Sequence, residues 1–329
     1  MKAIVQDRYG SPDALQLREI DKPVPTGDDV LVRVRAAAVN AYDWHVMRGD
    51  PYLARLTVGF GGPKAKVRGR DFAGEVEAVG ADVRRFRPGD EVYGDTGQAD
   101  GAFAEYVRVP AGAVGVKPAN LTFEQAAAMP LAANTALVCL RDAAQVKPGQ
   151  SVLVNGASGG VGTFAVQIAK AFGADVTGVC STRNMDLVRG LGADHVIDYT
   201  SDDFARAGRR YDVVLDLVGN RSLADCLRAL APTGILLLSG GGVSEGGSLV
   251  GPIGLIIRGQ LLSRLMRYRL AVPAAHPSGD NLAALRELVE SGKVTPVIDR
   301  TYPLSETADA IRYLEKEHAR AKVVITVRA

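Results

Sequence analysis

The sequence predicts an α/β protein of two lobes, one rich in short strands and one built on a parallel sheet covered by helices on both faces. Three observations carry this. Up to about residue 125, short runs of β-type residues are cut by Gly, Pro and Asp. Beyond Pro130, apolar bursts alternate with helical repeats. The first of those bursts runs into a glycine cluster, SVLVNGASGGVGTFAVQIAKAFGADVTGVCSTR from Ser151.

Taken in order, the strand candidates of the first lobe are VLVRVRA after Asp29, GEVEAVG after Ala73, DEVYG after Gly89 and FAEYVRVP after Ala102. Alternation in GEVEAVG sets Glu75 and Glu77 on one face, with Val76 and Ala78 on the other. Short strands with turn residues between them favour a barrel-like or sandwich lobe. In the second lobe SVLVN is a strand, and Val161, Phe164, Ala165, Ile168, Ala169 and Phe172 then recur at helical spacing. DVTGVC, HVID, YDVVLDLVG and GILLLSGGG supply four more strands, with RNMDLVRGL and RSLADCLRAL as helices between them. From about Asp280 the chain reads helix, strand, helix, strand: NLAALRELVESG, TPVIDRTY, ETADAIRYLEKE and AKVVITV. There is no internal repeat. The expected division is 1–125, 126–275 and a C-terminal segment 276–329.

Composition narrows the function classes. At 329 residues, 47% hydrophobic and 23% charged, the chain has the make-up of a soluble protein with room for two cores. A net charge of +2 gives no electrostatic reason to expect nucleic acid as a partner. Cys139, Cys180 and Cys226 are scattered, which suggests neither a disulfide framework nor a metal cluster and fits a reducing compartment. The opening MKAIVQDRYGSPDALQ lacks a signal-peptide core, and no apolar run is long enough to span a bilayer. Cytoplasmic residence is the simplest expectation.

The glycine cluster has the right setting for a phosphate ligand. Gly156, Gly159 and Gly160 can take tight-turn dihedrals and let the backbone approach a pyrophosphate, beside Ser158 and Val161. Gly162 lets the helix lie close, and the helix start near Gly160 directs unpaired N–H groups and its positive dipole end at the anion. The unit therefore reads as a dinucleotide site. At the end of the second strand, where an acid would bind the ribose hydroxyls of NAD, the chain has Cys180, Ser181, Thr182 and Arg183. No acid stands there in the sequence to repel a 2′-phosphate, and two hydroxyls and a guanidinium can donate to it. NADPH is the expected coenzyme; Ser181 as a helix cap with Arg183 in solvent is the competing explanation.

Three stretches then carry a family resemblance: AAVNAYDWHVMRG (37–49), GRDFAGEVEAVGADVRRFRPGDEVYG (69–94), and the run from KPGQSVLVNGASGGVG to GADHVIDY. Across essentially its whole length the sequence resembles the medium-chain dehydrogenase/reductase superfamily, in its zinc-free quinone oxidoreductase branch. The resemblance implies a GroES-like β-barrel catalytic domain, a Rossmann domain, a C-terminal return to the catalytic domain, and a cleft between the lobes. The zinc-dependent alcohol dehydrogenases of that superfamily carry a Cys ligand where this chain has Asn40, and a His–Glu pair where it has Arg70 and Asp71. Their cysteine-rich lobe is replaced by YGDTGQADGAFAEY. Zinc needs converging thiolate, imidazole or carboxylate ligands, so a metal-free site is expected; Asp43 and His45 alone do not make one.

Without a Lewis acid, hydride delivery to a simple ketone would leave a strongly basic alkoxide. Delivery to a quinone or an enone leaves a delocalised phenolate or enolate, so reduction of quinones or α,β-unsaturated carbonyls is expected. By resemblance the candidate catalytic residues are Asn40, Tyr42 and His45, the last standing where relatives often carry a tyrosine. Asn40 also reads as a buried amide closing a turn, and His45 beside Trp44 as a packing residue. Further coenzyme contacts carried over are Thr135, Tyr199, Val218, Gly219, Ser239, Gly240 and Lys322; strand-end packing or solvation would explain the same residues.

One stretch stands apart. LVGPIGLIIRGQLLSRLMRYRL, residues 249–270, joins an apolar helical face to four arginines. A flap over the cleft or a contact within a homodimer is the preferred reading, with a membrane-surface helix as the alternative. A zinc-free carbonyl reductase or alcohol dehydrogenase is the nearest rival activity. A catalytically idle NADPH-binding regulator is the rival from another class.

Overall fold

The computed structural model describes residues 1–240, 269–316 and 319–327, so the basic stretch lies outside the described residues up to position 268. Packing divides the chain into two units. The first comprises Met1–Asn134, His276–Ser291 and Pro296–Ala329; the second comprises Thr135–Ala275 and Gly292–Thr295.

The first unit is organised by one long strand. β1 (Lys2–Gln6) and β2 (Leu15–Glu19) form an antiparallel pair. β3 (Asp29–Val39) then pairs antiparallel with β4 (Asp71–Val79) and β6 (Tyr106–Pro110); β5 (Glu91–Asp95) lies between β4 and β7 (Val114–Val116). The valines of β3 enter the core with Phe72, Val76, Val92 and Phe103. Glu75 faces outward, where Arg33 and Arg35 reach it at 2.9 and 3.0 Å. Half-exposed pairs of this kind contribute at most about 1 kcal/mol each, so they set register more than stability.

The end of the chain completes the same sheet. β14 (Ile298–Pro303) runs parallel to β15 (Lys322–Thr326), and β15 pairs antiparallel with β3, where Val323 lies opposite Val39. Val323 and Ile325 thereby join the core, as do Ala310 and Ile311 of the amphipathic helix α9 (Thr307–Lys316). The first unit reaches Asn134 rather than stopping at 125, for a polar reason. The Leu131 N–H donates to Asp71 at 3.0 Å, and the Asn134 side chain exchanges hydrogen bonds with His276 and Asn281 at 2.8 Å each.

The second unit is a six-stranded sheet in which every pairing is parallel. Its strands are β8 (Ser151–Asn155), β9 (Asp175–Cys180), β10 (His195–Asp198), β11 (Tyr211–Asp216), β12 (Leu230–Leu238) and β13 (Arg269–Ala271), in the order β10-β9-β8-β11-β12-β13. Helices α5 (Gly160–Ala171), α6 (Met185–Gly190) and α7 (Leu223–Arg228) connect successive strands. Chain order reverses between β8 and β11, so the carboxyl ends of those two strands mark the switch point where ligands bind in such sheets. β13 is a strand that sequence periodicity did not mark.

Candidate active site

The glycine turn after β8 is built for close backbone approach. Gly156 sits at φ +89°, and the N–H groups of Gly156 and Ala157 both donate to the Val179 carbonyl, at 3.1 and 3.0 Å. A Cβ on Gly162 would fall 2.0 Å from the Gly156 oxygen. The last glycine of the cluster therefore lets the helix start settle on the turn itself. The cap of α5 is Gly159, which offers no side chain to the first-turn N–H groups, and no acid lies in that turn. These features fit a pyrophosphate: donors without internal competitors at the positive end of a helix.

Around this turn the strand ends are tied together by polar side chains. Asn155 closes β8 and donates to Asp216 at 2.9 Å and Asn220 at 3.0 Å. Asp216 in turn accepts from the N–H groups of Val218 and Gly219, both at 3.0 Å. Those two expected coenzyme contacts thus direct their N–H groups inward, leaving side chain and carbonyl for a ligand. The Ser239 N–H donates to the Asp216 carbonyl, and Gly240 follows where a Cβ would lie 2.5 Å from the Leu217 oxygen. Thr135 lies on helix α4 (Pro130–Leu137).

The end of β9 requires one correction. An acid does border it, contributed by the neighbouring strand: Asp198, at the end of β10, pairs in register with Cys180. Its carboxylate accepts the Thr182 hydroxyl at 2.5 Å and the N–H and hydroxyl of Thr200 at 3.0 and 2.7 Å. These bonds, that from Thr182 foremost, hold its carboxyl below the usual aspartate range. Thr182 has thereby committed its proton, so of the two expected hydroxyl donors Ser181 remains. Tyr199 follows Asp198, with its N–H on the Cys180 carbonyl at 3.1 Å and its ring half exposed.

In the first unit the structure brings Asn40 and Lys322 together. β3 ends where β4 and β15 both begin, one on each side of it. That places Asn40, Asp71 and Lys322 at one point, 8%, 0% and 2% exposed. Lys322 Nζ donates to Asn40 Oδ1 at 2.6 Å and lies 3.4 Å from Asp71; Asn40 Nδ2 donates to Asp71 at 3.0 Å. Burial pushes the Asp71 carboxyl up to about 6, opposed by the Lys322 charge. Helix α1 (Ala41–Arg48) starts beside this cluster, with Asp43 Oδ2 accepting the Asn40 N–H at 2.7 Å. Asp43 Oδ1 is buried without a partner, and burial, then the Asp100 charge, pushes this carboxyl up to about 8.

Tyr42 and His45 stand differently. The Tyr42 ring lies under the Arg70 guanidinium at 4.6 Å, and its hydroxyl is buried with no partner; burial raises its pKa. Arg70 is itself closed on Asp95 by two hydrogen bonds of 2.8 and 2.6 Å. His45 stacks on Trp44, and its Nδ1 lies 2.9 Å from the Asp50 carbonyl. A carbonyl only accepts, so Nδ1 carries the proton there. Burial pushes the ring's pKa down, and in the neutral tautomer that this bond sets, Nε2 is an acceptor.

Comparison with known proteins places these halves in one family. The alcohol dehydrogenase GroES-like domain matches residues 26–119, and the zinc-binding dehydrogenase family matches residues 191–325. A 2-methylene-furan-3-one reductase of Solanum lycopersicum is 37% identical over 337 residues, covering 99% of this chain and 79% of that protein. A chloroplastic NADPH-dependent alkenal/one oxidoreductase of Arabidopsis thaliana is 36% identical over 337 residues, with the same coverage. The structure of the quinone oxidoreductase from Coxiella burnetii superposes with a TM-score of 0.86 at 32% identity, covering 100% of this chain and 99% of that one. The chain belongs to the quinone oxidoreductase branch of the medium-chain dehydrogenase/reductase superfamily.

The GroES-like and Rossmann expectations hold with it. Within this branch member, the positions where zinc-dependent relatives carry ligands do not fit the metal. Arg70 is a permanent cation closed on Asp95, and Asn40 has a lysine ammonium at 2.6 Å. Two fixed cations oppose a third. Sequence reading missed Asn155, Asp198 and Asp216. All three are polar residues ending apolar strands, which is the one local signal they left.

Proposed function

We propose that this chain is an NADPH-dependent, zinc-independent reductase that transfers hydride to quinones or α,β-unsaturated carbonyls. The observation that carries the reading is the replacement of metal ligands by two closed ion pairs, Arg70–Asp95 and Lys322–Asp71. A site so arranged has no Lewis acid to stabilise an alkoxide, and suits acceptors whose reduced form is a delocalised anion. The Arabidopsis relative is named for NADPH and alkenals or enones, the Coxiella neighbour for quinones, which supports both halves of the proposal.

When bound, NADPH supplies the hydride. Gly156, Ser158, Gly159, Gly160, Val161 and Gly162 hold its pyrophosphate, and Ser181, Arg183 and Tyr199 its adenosine phosphate. Asn40 and Lys322 act as positioning groups: their cluster pins the end of β3 and the start of α1. Steady-state NADPH oxidation with a panel of quinones and enones tests the reading. Turnover above the uncatalysed rate with at least one acceptor supports it. Reversible alcohol oxidation with NADP would favour a carbonyl reductase, and tight NADPH binding without turnover a regulator. Stoichiometric zinc retained through dialysis would overturn the account of the site. The same proposal includes a homodimer and a reducing, cytoplasmic setting; three buried free cysteines support the latter, and light scattering of the purified chain tests the former.

A further inference from the structure

Ser158 lies in the glycine turn after β8, and Ser181 in the turn after β9. One side chain touches both. Asn184, 5% exposed, donates from Nδ2 to Ser158 Oγ at 3.0 Å and to Ser181 Oγ at 3.3 Å. Its backbone is fixed from the same side, with its N–H on the Ser181 carbonyl at 2.9 Å. An amide nitrogen has hydrogens and no lone pair to offer, so each serine meets it with an oxygen lone pair and must aim its own proton elsewhere. Among the described residues no acceptor takes either proton. Rotating the amide by half a turn would reverse the polarity. Both serine protons would then point inward at Oδ1, and the amide N–H₂ would be buried with two unmet donors. The observed arrangement leaves only Oδ1 without a partner, and one orphaned acceptor costs less than two orphaned donors.

We propose that Asn184 is a positioning residue for coenzyme selection: by donating to the backs of Ser158 and Ser181 it turns both hydroxyl protons toward phosphate oxygens, Ser158 toward the pyrophosphate and Ser181 toward the adenosine 2′-phosphate. The inference rests on the NADPH reading above and goes beyond it, by naming what sets the direction of the donors. The contrast lies one residue from Ser181. There Thr182 gives its proton to Asp198 and can only accept. Of three hydroxyls in this corner, an amide behind two of them makes donors and a carboxylate beside the third makes an acceptor. A phosphate meets donors in the first case and lone pairs in the second.

The test is calorimetric titration of the whole protein with NADPH and with NADH. It compares wild type, Asn184→Ala, Asn184→Asp, Ser181→Ala and the Asn184→Ala/Ser181→Ala double variant, with melting temperatures recorded without coenzyme. Asn184→Asp places a pure acceptor behind both serines, and the NADPH-to-NADH affinity ratio falls by about tenfold or more, the scale of one hydrogen bond to a charged group. Asn184→Ala releases the hydroxyls, so adding Ser181→Ala to it costs less NADPH affinity than Ser181→Ala costs alone. Full additivity of those two substitutions overturns the proposal. So does an unchanged affinity ratio in Asn184→Asp, or an equal loss of both coenzymes that merely follows a lowered melting temperature. Wild-type protein that fails to take up NADPH overturns the coenzyme reading instead, which separates the two failures.

Discussion

The glycine turn of the second unit and the ion-pair cluster of the first solve the same problem, holding charge in place, by opposite routes. The turn uses contiguous backbone: its glycines bring the chain to the start of α5, whose first-turn N–H groups meet no capping side chain and no acid. The cluster uses side chains from distant parts of the chain, with Lys322 and Asn40 separated by 282 positions. A backbone site tolerates changes of side chain but no added volume. A side-chain site tolerates volume but no loss of a partner. That difference orders the expected effects of substitution.

Removing a partner from the cluster should cost most. Asp71→Ala leaves the Lys322 ammonium buried with no counter-charge and frees the Leu131 N–H and the Asn40 amide. Stability falls by about 3–5 kcal/mol, as for a broken buried pair. Urea unfolding measures it, and a loss under about 1 kcal/mol would mean that the cluster is solvated. Replacing both charges, Asp71→Leu with Lys322→Met, should recover part of the loss, because paired hydrophobic replacements leave no naked charge.

Adding volume should come next. Gly162→Ala drives a methyl to within 2.0 Å of the Gly156 oxygen, and the turn must shift. The expected cost is about 1–3 kcal/mol in stability, with a loss of affinity for NADPH and NADH together because the pyrophosphate is common to both. A selective loss of one coenzyme would break the assignment of this turn. Selectivity belongs to the β9 end instead. Arg183→Ala should weaken NADPH by about 1–3 kcal/mol, the scale of a lost charged hydrogen bond, and leave NADH nearly unchanged in the same titration.

The comparison also explains what could be read in advance. The glycine turn and the strands that flank it were legible because each is a short local pattern with one period; AKVVITV was legible as a strand, and its return to the first unit followed only from the resemblance. Asp198 was not. It meets Thr182 through parallel pairing of β10 with β9, and strand order in a doubly wound sheet leaves no trace in local spacing. Asn184 was hidden for a related reason, since a polar residue in a helix-opening turn reads as a cap until its partners are known. Asn40 and Lys322 were each singled out by resemblance, yet their union depends on β3 being flanked by both β4 and β15. His45 was legible only as a choice between chemistry and packing, since its contacts with the Asp50 carbonyl and the Trp44 ring leave no trace in residue type.

The effect most diagnostic of how the first unit handles charge concerns Asp43, and it is read from a pH slope. Its carboxyl is raised from 3.8 to about 8, burial being the main cause and the Asp100 charge the next. The folded protein therefore keeps this proton up to about pH 8, whereas the unfolded chain releases it near pH 4. Between those values the native state binds more protons than the unfolded one. The contribution of Asp43 to stability is complete below about pH 4 and is lost as pH rises through about 8. Asp71 and Asp100, raised to about 6 and about 7, act with the same sign over narrower windows. Asp43→Asn keeps an oxygen to accept the Asn40 N–H and cannot ionise, so melting temperature measured across pH 4–8 should fall less steeply than in the parent protein. A steeper fall would mean that Asp43 is the anion of the group and that Lys322 serves it as well as Asp71.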